Sequence, residues 1–66
     1  MELIINGEAR HFPAPLTVAA LVETLGYRGK RIAVERNGEI VPRACHADTL
    51  LAANDRIEIV VAVGGG

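Results

Sequence analysis

Few residues in this chain are equipped for chemistry, and most fall in one stretch. Cys45, His46 and Asp48 bring a thiol, an imidazole and a carboxylate close together in sequence. Sequence neighbours rarely face one another, and a nucleophile and its base need hydrogen-bond reach in space, so no catalytic set is expected there. A zinc site wants about four ligands at recurring spacings, which Cys45, His46 and the distant His11 do not supply. His11, next to Phe12, reads instead as a strand residue near a sheet edge. Gly26 and Gly29 flank one loop without the strand–loop–helix context of a phosphate-binding turn.

Gly64-Gly65-Gly66 stands apart. Glycines at a terminus are also what a frayed end contains. These follow directly on the most β-prone stretch of the chain, Arg56 to Val63, so a sheet would hold a side-chain-free tail at a fixed point. Such a tail can enter a channel that any Cβ would block. A Gly66 carboxylate is a poor electrophile, and a chain this small without a nucleotide site cannot activate it. A partner using ATP could convert it to an acyl adenylate, after which a sulfur or nitrogen nucleophile displaces AMP. On that logic the chain is a carrier acted on by an adenylyltransferase, not an enzyme, and it binds no cofactor of its own.

Composition narrows the setting. The 66 residues allow one small domain, half of them are hydrophobic, and seven basic against eight acidic side chains leave a formal charge of −1. That balance offers no field for a polyanion, and Phe12 and Tyr27 are the only aromatics, so nucleic acid is not an expected partner. No apolar run approaches ~18 residues, and the N-terminus lacks a basic region followed by an apolar stretch; neither membrane nor export is expected. A single cysteine fits a reducing compartment, and a cytoplasmic location is the expectation.

The elements that would position the tail can be read in order. Met1 to Asn6 is a β-branched run ending in Asn6-Gly7, a type I′ hairpin signal, and Ala9 to Phe12 returns until Pro13 and Pro15 stop it. Thr17 stands at an N-cap, and Val18, Leu21, Val22 and Leu25 form one helical stripe closed by Gly26. Arg31 to Arg36 alternates, with Ile32 and Val34 on one face and Ala33 and Glu35 on the other. Asn37-Gly38 turns it back into Glu39-Ile40-Val41, ended by Pro42. Residues 43–55 read as a connection with one helical turn. The first and last strands are the most apolar and suit the centre of a sheet; the proline-limited second and fourth suit its edges. One helix on a mixed sheet of four to five strands is an α+β, ubiquitin-like β-grasp, with residues 1–63 as the domain and 64–66 as a flexible glycine tail.

Alternation makes a further prediction. If Ile57, Ile59 and Val61 face the helix, then Glu58, Val60 and Ala62 face the open side of the sheet, where Ile4 joins them. Apolar side chains on an uncovered sheet face form a candidate docking surface, although single exposed ones are ordinary.

Taken together, the chain resembles the ubiquitin-like sulfur carriers, and among them the ThiS family of thiazole synthesis in the thiamine pathway. The resemblance spans the whole chain. It is carried by Met1 to Gly7, Leu16 to Leu25, Ile32 to Gly38, Ile40-Val41-Pro42-Arg43, Asp55 to Val60, and Val63-Gly64-Gly65-Gly66. It implies that a ubiquitin-activating-like adenylyltransferase, ThiF, adenylates Gly66. Sulfur supplied through a cysteine desulfurase or related donor then makes a thiocarboxylate, and thiazole synthase, ThiG, takes the sulfur. It also implies that Gly65 and Gly64 thread into partners and that the face bearing Val60 and Ala62 meets the activating enzyme. Where many members have Gly-Asp before the last strand, this chain has Asn54-Asp55, and Asn also tolerates left-handed backbone. Lys30 is the only lysine, which disfavours ubiquitin-style chains. The small subunit of molybdopterin synthase, usually longer, and a carrier for transfer-RNA thiolation share this chemistry. A non-catalytic β-grasp interaction module is the alternative of another class.

Overall fold

The computed structural model describes residues 1–62; the glycine stretch 64–66 and Val63 lie outside the described residues. Two strands open the chain, β1 (Glu2–Ile5) and β2 (Glu8–His11), followed by helix α1 (Val18–Thr24). Then come β3 (Ile32–Arg36), β4 (Glu39–Ile40), a 3₁₀ turn at Arg43–Cys45, and β5 (Arg56–Val61). The sheet order is β2-β1-β5-β3-β4, so the first and last strands are central and the second and fourth are edges. β5 runs parallel to β1 and antiparallel to β3. A helix across one face of this mixed sheet makes the ubiquitin-like β-grasp.

The turns follow from asparagine and glycine taking left-handed backbone. Asn6 and Gly7 have φ of 49° and 83°, and Asn37 and Gly38 have 50° and 87°, the pair of positive angles that a type I′ turn requires. Asn54 reaches 70°, a left-handed backbone that asparagine tolerates. The helix begins where the Thr17 hydroxyl accepts the Ala20 N–H and ends with Gly26 at φ 85°. There the Gly26 N–H donates to the Glu23 carbonyl and the Tyr27 N–H to that of Val22, which satisfies two carbonyls the last turn would leave open.

The helix stripe and the inner faces of the strands make the core: Leu3, Ile5, Val18, Leu21, Val34, Ile57 and Ile59, extended by Phe12, Leu16 and Leu51. Residues Leu3, Val18 and Leu21 are wholly buried. Two expectations are corrected here. Val61 does not pack under the helix; it is 38% exposed and lies outside the core, opposite Ile32. The seven residues of α1 span about 10 Å, while the six of β5 span about 20 Å, so the strand outruns the helix that would cover it. Ile4 does face the open side, but it lies beside Arg56, four residues before Val60 and about 13 Å away along the strand. It is therefore not part of an apolar patch around Val60.

Candidate functional site

β5 is pinned at its start. Asp55, buried immediately before the strand, accepts the Arg36 Nε–H at 2.8 Å, the Asn37 Nδ2–H at 3.0 Å and the Ala52 N–H at 2.8 Å. Burial by itself would raise this carboxyl. The Ala52 N–H, the Asn37 carboxamide and the Arg36 guanidinium outweigh burial and hold the carboxyl below the ordinary aspartate value. Asn37 returns a bond from its other side, its Oδ1 accepting the Arg56 N–H at 2.8 Å. The β3–β4 turn is thereby locked to the beginning of β5.

A second asparagine works along the middle of β5. Where β1 turns away at Asn6, its backbone N–H still donates to the Ile57 carbonyl. Its side chain continues the ladder: Oδ1 accepts the Ile59 N–H at 2.8 Å, and Nδ2 donates to the Ile59 carbonyl at 3.3 Å. A carboxamide carries the same donor and acceptor as a peptide group, so Asn6 pairs with β5 beyond the point where β1 has ended. Sequence reading assigned Asn6 only to the turn.

Beyond Ile59 the support thins. On the β3 side the ladder extends one step past Val61, with the Ala62 N–H donating to the Arg31 carbonyl at 2.9 Å. Val60 is 62% exposed and Ala62 is exposed, as the alternation predicts. Register supplies neighbours that the sequence did not. Val60 lies directly opposite Ala33, Glu58 opposite Glu35, and Glu35 in turn opposite Ile40, which is 63% exposed. Residues directly opposite in antiparallel strands share a face, so Val60, Ala33, Glu58, Glu35 and Ile40 line one continuous side of the sheet. The predicted site residues Val60 and Ala62 are thus brought together with Ala33 and Ile40. Gly64, Gly65 and Gly66 lie outside the described residues.

The other reactive side chains form no site. The His46 ring lies 3.1 Å from the Val41 carbonyl and not against Cys45, whose carbonyl accepts the Thr49 hydroxyl. His11 sits on the edge strand β2, largely exposed, 3.7 Å from Glu2. No group of ligating side chains among the described residues could hold a metal ion. A groove of about 570 Å³ between α1, the loop after it and the 3₁₀ turn is lined by Val22, Tyr27, Arg28, Lys30, Arg43 and His46. It lies on the helix side of the sheet and lacks a nucleophile–base pair. No described helix is long and apolar enough to cross a membrane.

Comparison with known proteins accords with this geometry. A crystal structure of the thiamine biosynthesis protein ThiS from Geobacter metallireducens superposes with a TM-score of 0.84 at 29% identity, with all of both chains covered. Among curated proteins, a thiazole synthase from Paramagnetospirillum magneticum is 48% identical over the whole of this chain, and one from Magnetococcus marinus is 36% identical. The chain spans only 20% of the length of each. An uncharacterized protein, ycf40, from Porphyra purpurea is 36% identical across 94% of this chain and 87% of its own length. The model of the ThiS family matches residues 3–66, from the first strand through the last glycine. With that match and this fold, the chain belongs to the ThiS family.

Proposed function

We propose that this chain is a sulfur carrier for thiazole formation in thiamine biosynthesis, with Gly66 as the reactive residue. A ThiF-type adenylyltransferase would join the Gly66 carboxylate to AMP from ATP, releasing pyrophosphate. A persulfide sulfur delivered from a cysteine desulfurase would attack the acyl carbon, and AMP would leave with the bonding pair. A thiol would then cleave the S–S bond of the acyl disulfide, ending in a disulfide itself and leaving a thiocarboxylate in place of the carboxylate. Glycine leaves that carbon unhindered, and Gly64 and Gly65 allow approach through a narrow channel. Residues 64–66 act as the tail and the preceding β-grasp as the body that presents it.

The observation that most supports this reading is that the family match runs on through Gly64-Gly65-Gly66. ThiG as the sulfur acceptor draws support from the two thiazole synthases, which carry a segment similar to this chain within a protein about five times longer. The test is intact-mass measurement after incubation with the adenylating enzyme, ATP and a sulfur source. The expected result is exchange of one oxygen for one sulfur, localised to Gly66. Absence of that exchange, in a mixture that forms thiocarboxylate on a known carrier, would refute the proposal. Adding thiazole synthase together with its other substrates, which take the sulfur into the ring, should then return the oxygen form; persistence of the thiocarboxylate would point to a different acceptor.

A further inference from the structure

The charges of this chain nearly cancel, yet the groove on the helix side of the sheet is basic. Arg28, Lys30 and Arg43 line it together with one carboxylate, Glu23, so three cations less one anion leave a local excess of two positive charges in a chain of formal charge −1. Glu23 offsets little of this, since its contact with Arg28 is 3.6 Å long between exposed side chains. Among the described residues Lys30 and Arg43 take part in no ion pair. Between the cations the floor is apolar: Val22 from α1, Ile32 from β3, and Tyr27, all half-buried. Backbone bonds hold both walls. On one side the Lys30 N–H closes a turn onto the Tyr27 carbonyl at 3.0 Å, with Gly29 at φ 80°. On the other, the His46 carbonyl accepts the Ala19 N–H at 2.9 Å and so ties the 3₁₀ turn that bears Arg43 to the helix.

We propose that this groove is a binding site for a small phosphorylated molecule carrying an apolar ring, of the mononucleotide class. Its volume of about 570 Å³ lies within the range of small-ligand sites, roughly 300–1,000 Å³. The excess of two positive charges matches a phosphate monoester, which carries about −1.5 to −2 near neutral pH. Phosphate oxygens suit the rim, because a guanidinium bonds two of them at once and an ammonium adds a compact charge. A ring suits the floor, where it covers apolar surface and lies against Tyr27. Neither part is enough alone. Exposed cations hold a bare phosphate weakly in salt water, and an uncharged ring leaves their mutual repulsion as it was. The other four basic residues, Arg10, Arg31, Arg36 and Arg56, do not line the groove. The charge available is therefore that for one or two phosphates and not for a polyanion or a long acidic segment. With no nucleophile–base pair in the groove, the site binds its ligand and does not turn it over.

The experiment uses the full chain, with amide NMR spectra recorded at low salt as AMP is added. Adenosine and inorganic phosphate probe the two halves of the ligand separately, and a glutamate-rich peptide probes for a protein segment. Expected is saturable AMP binding with a Kd of about 1 mM or tighter, with shifts gathered at Ala19, Val22, Tyr27, Ile32 and His46 and none at Val60 or Ile40. Adenosine and phosphate should each bind at least about tenfold more weakly than AMP. The double variant K30Q with R43Q should lose AMP affinity at least about tenfold at an unchanged urea midpoint, while K30R with R43K, which keeps both charges, should retain binding. Absence of shifts in the groove at millimolar AMP overturns the proposal, as do shifts centred elsewhere. So does phosphate binding as tightly as AMP, because the groove would then be a patch of cations without a use for its floor. A charge-removing variant that binds like the wild type, a loss of binding that follows loss of folded protein, or tighter binding of the acidic peptide each overturn it as well. None of these measurements reads sulfur transfer, so the site and the carrier reading stand or fall separately.

Discussion

The two ends of β5 are built in opposite ways. At the Arg56 end, the carboxylate of Asp55 accepts three hydrogen bonds out of water, and Asn37 ties the turn to the strand from the other side. At the Val60 end, apolar side chains stand in solvent and two carboxylates oppose each other. One strand joins them, and its middle is secured by the core side chains Ile57 and Ile59 and by the carboxamide of Asn6. The contrast shows how a chain with one small core can remain folded while keeping an unsatisfied surface. Its polar groups are satisfied where the sheet must be aligned, and the strand that leads to the glycines is left uncovered at the far end.

Substitutions at and between the two ends put that contrast to the test. The largest effect is expected outside the domain: deleting Gly66 should abolish oxygen-for-sulfur exchange in the mass assay. The urea midpoint should not change, because the described core ends at Ile59. Modification of the shortened chain would place the chemistry elsewhere. At the pinned end, Asp55→Ala strands the guanidinium of Arg36, the carboxamide of Asn37 and the Ala52 N–H together, and should cost about 2–3 kcal/mol in urea unfolding. A loss below about 0.5 kcal/mol would mean that this corner does not hold β5 in place.

Val60→Asp, at the open end, should instead weaken docking to the adenylating enzyme about tenfold, or about 1.4 kcal/mol, while stability changes by less than about 0.5 kcal/mol. If it unfolds the protein, the two ends are not distinct. Asn6→Gly keeps the turn's backbone freedom and removes the two bonds to Ile59. About 1 kcal/mol of stability should be lost, with amide exchange at Ile59 accelerating more than at Ile57.

The mildest test is acid titration. Asp55 has a folded-state pKa below its unfolded value, so its contribution is complete above about 3.9 and is lost as pH falls through the lower folded value. Asp55→Asn should flatten the acid limb of stability against pH, whereas Glu58→Gln should leave that contribution in place. Equal acid limbs in Asp55→Asn and the wild type would show that other carboxylates dominate.

Much of this was legible in the residues, for local reasons. Asn-Gly at 6–7 and 37–38 takes two left-handed positions in succession with little strain, so both hairpins were expected where they occur. Thr17 and Gly26 bounded the helix because cap bonds are made within a few residues. Alternation correctly sent Val60 and Ala62 outward. It failed for Val61 because a two-residue period specifies a face but not whether anything covers that face at that height. It also misjudged Ile4, since facing the same way as Val60 says nothing about lying next to it. Asp55 was read only as part of a turn, because its partners Arg36 and Asn37 stand 18 or 19 positions earlier in the chain.

Residue type and short-range spacing therefore specify the elements, their turns, the family resemblance and the singular character of the glycine end. Register, by contrast, exists only in the assembled sheet. Only once β3 and β5 are aligned does Glu35 meet Glu58 and Val60 meet Ala33, and only once Asn37 and Arg36 fold over does Asp55 find its donors. Each of these depends on distances between residues far apart in sequence. Those distances are set jointly by the whole sheet and by the helix packed across it.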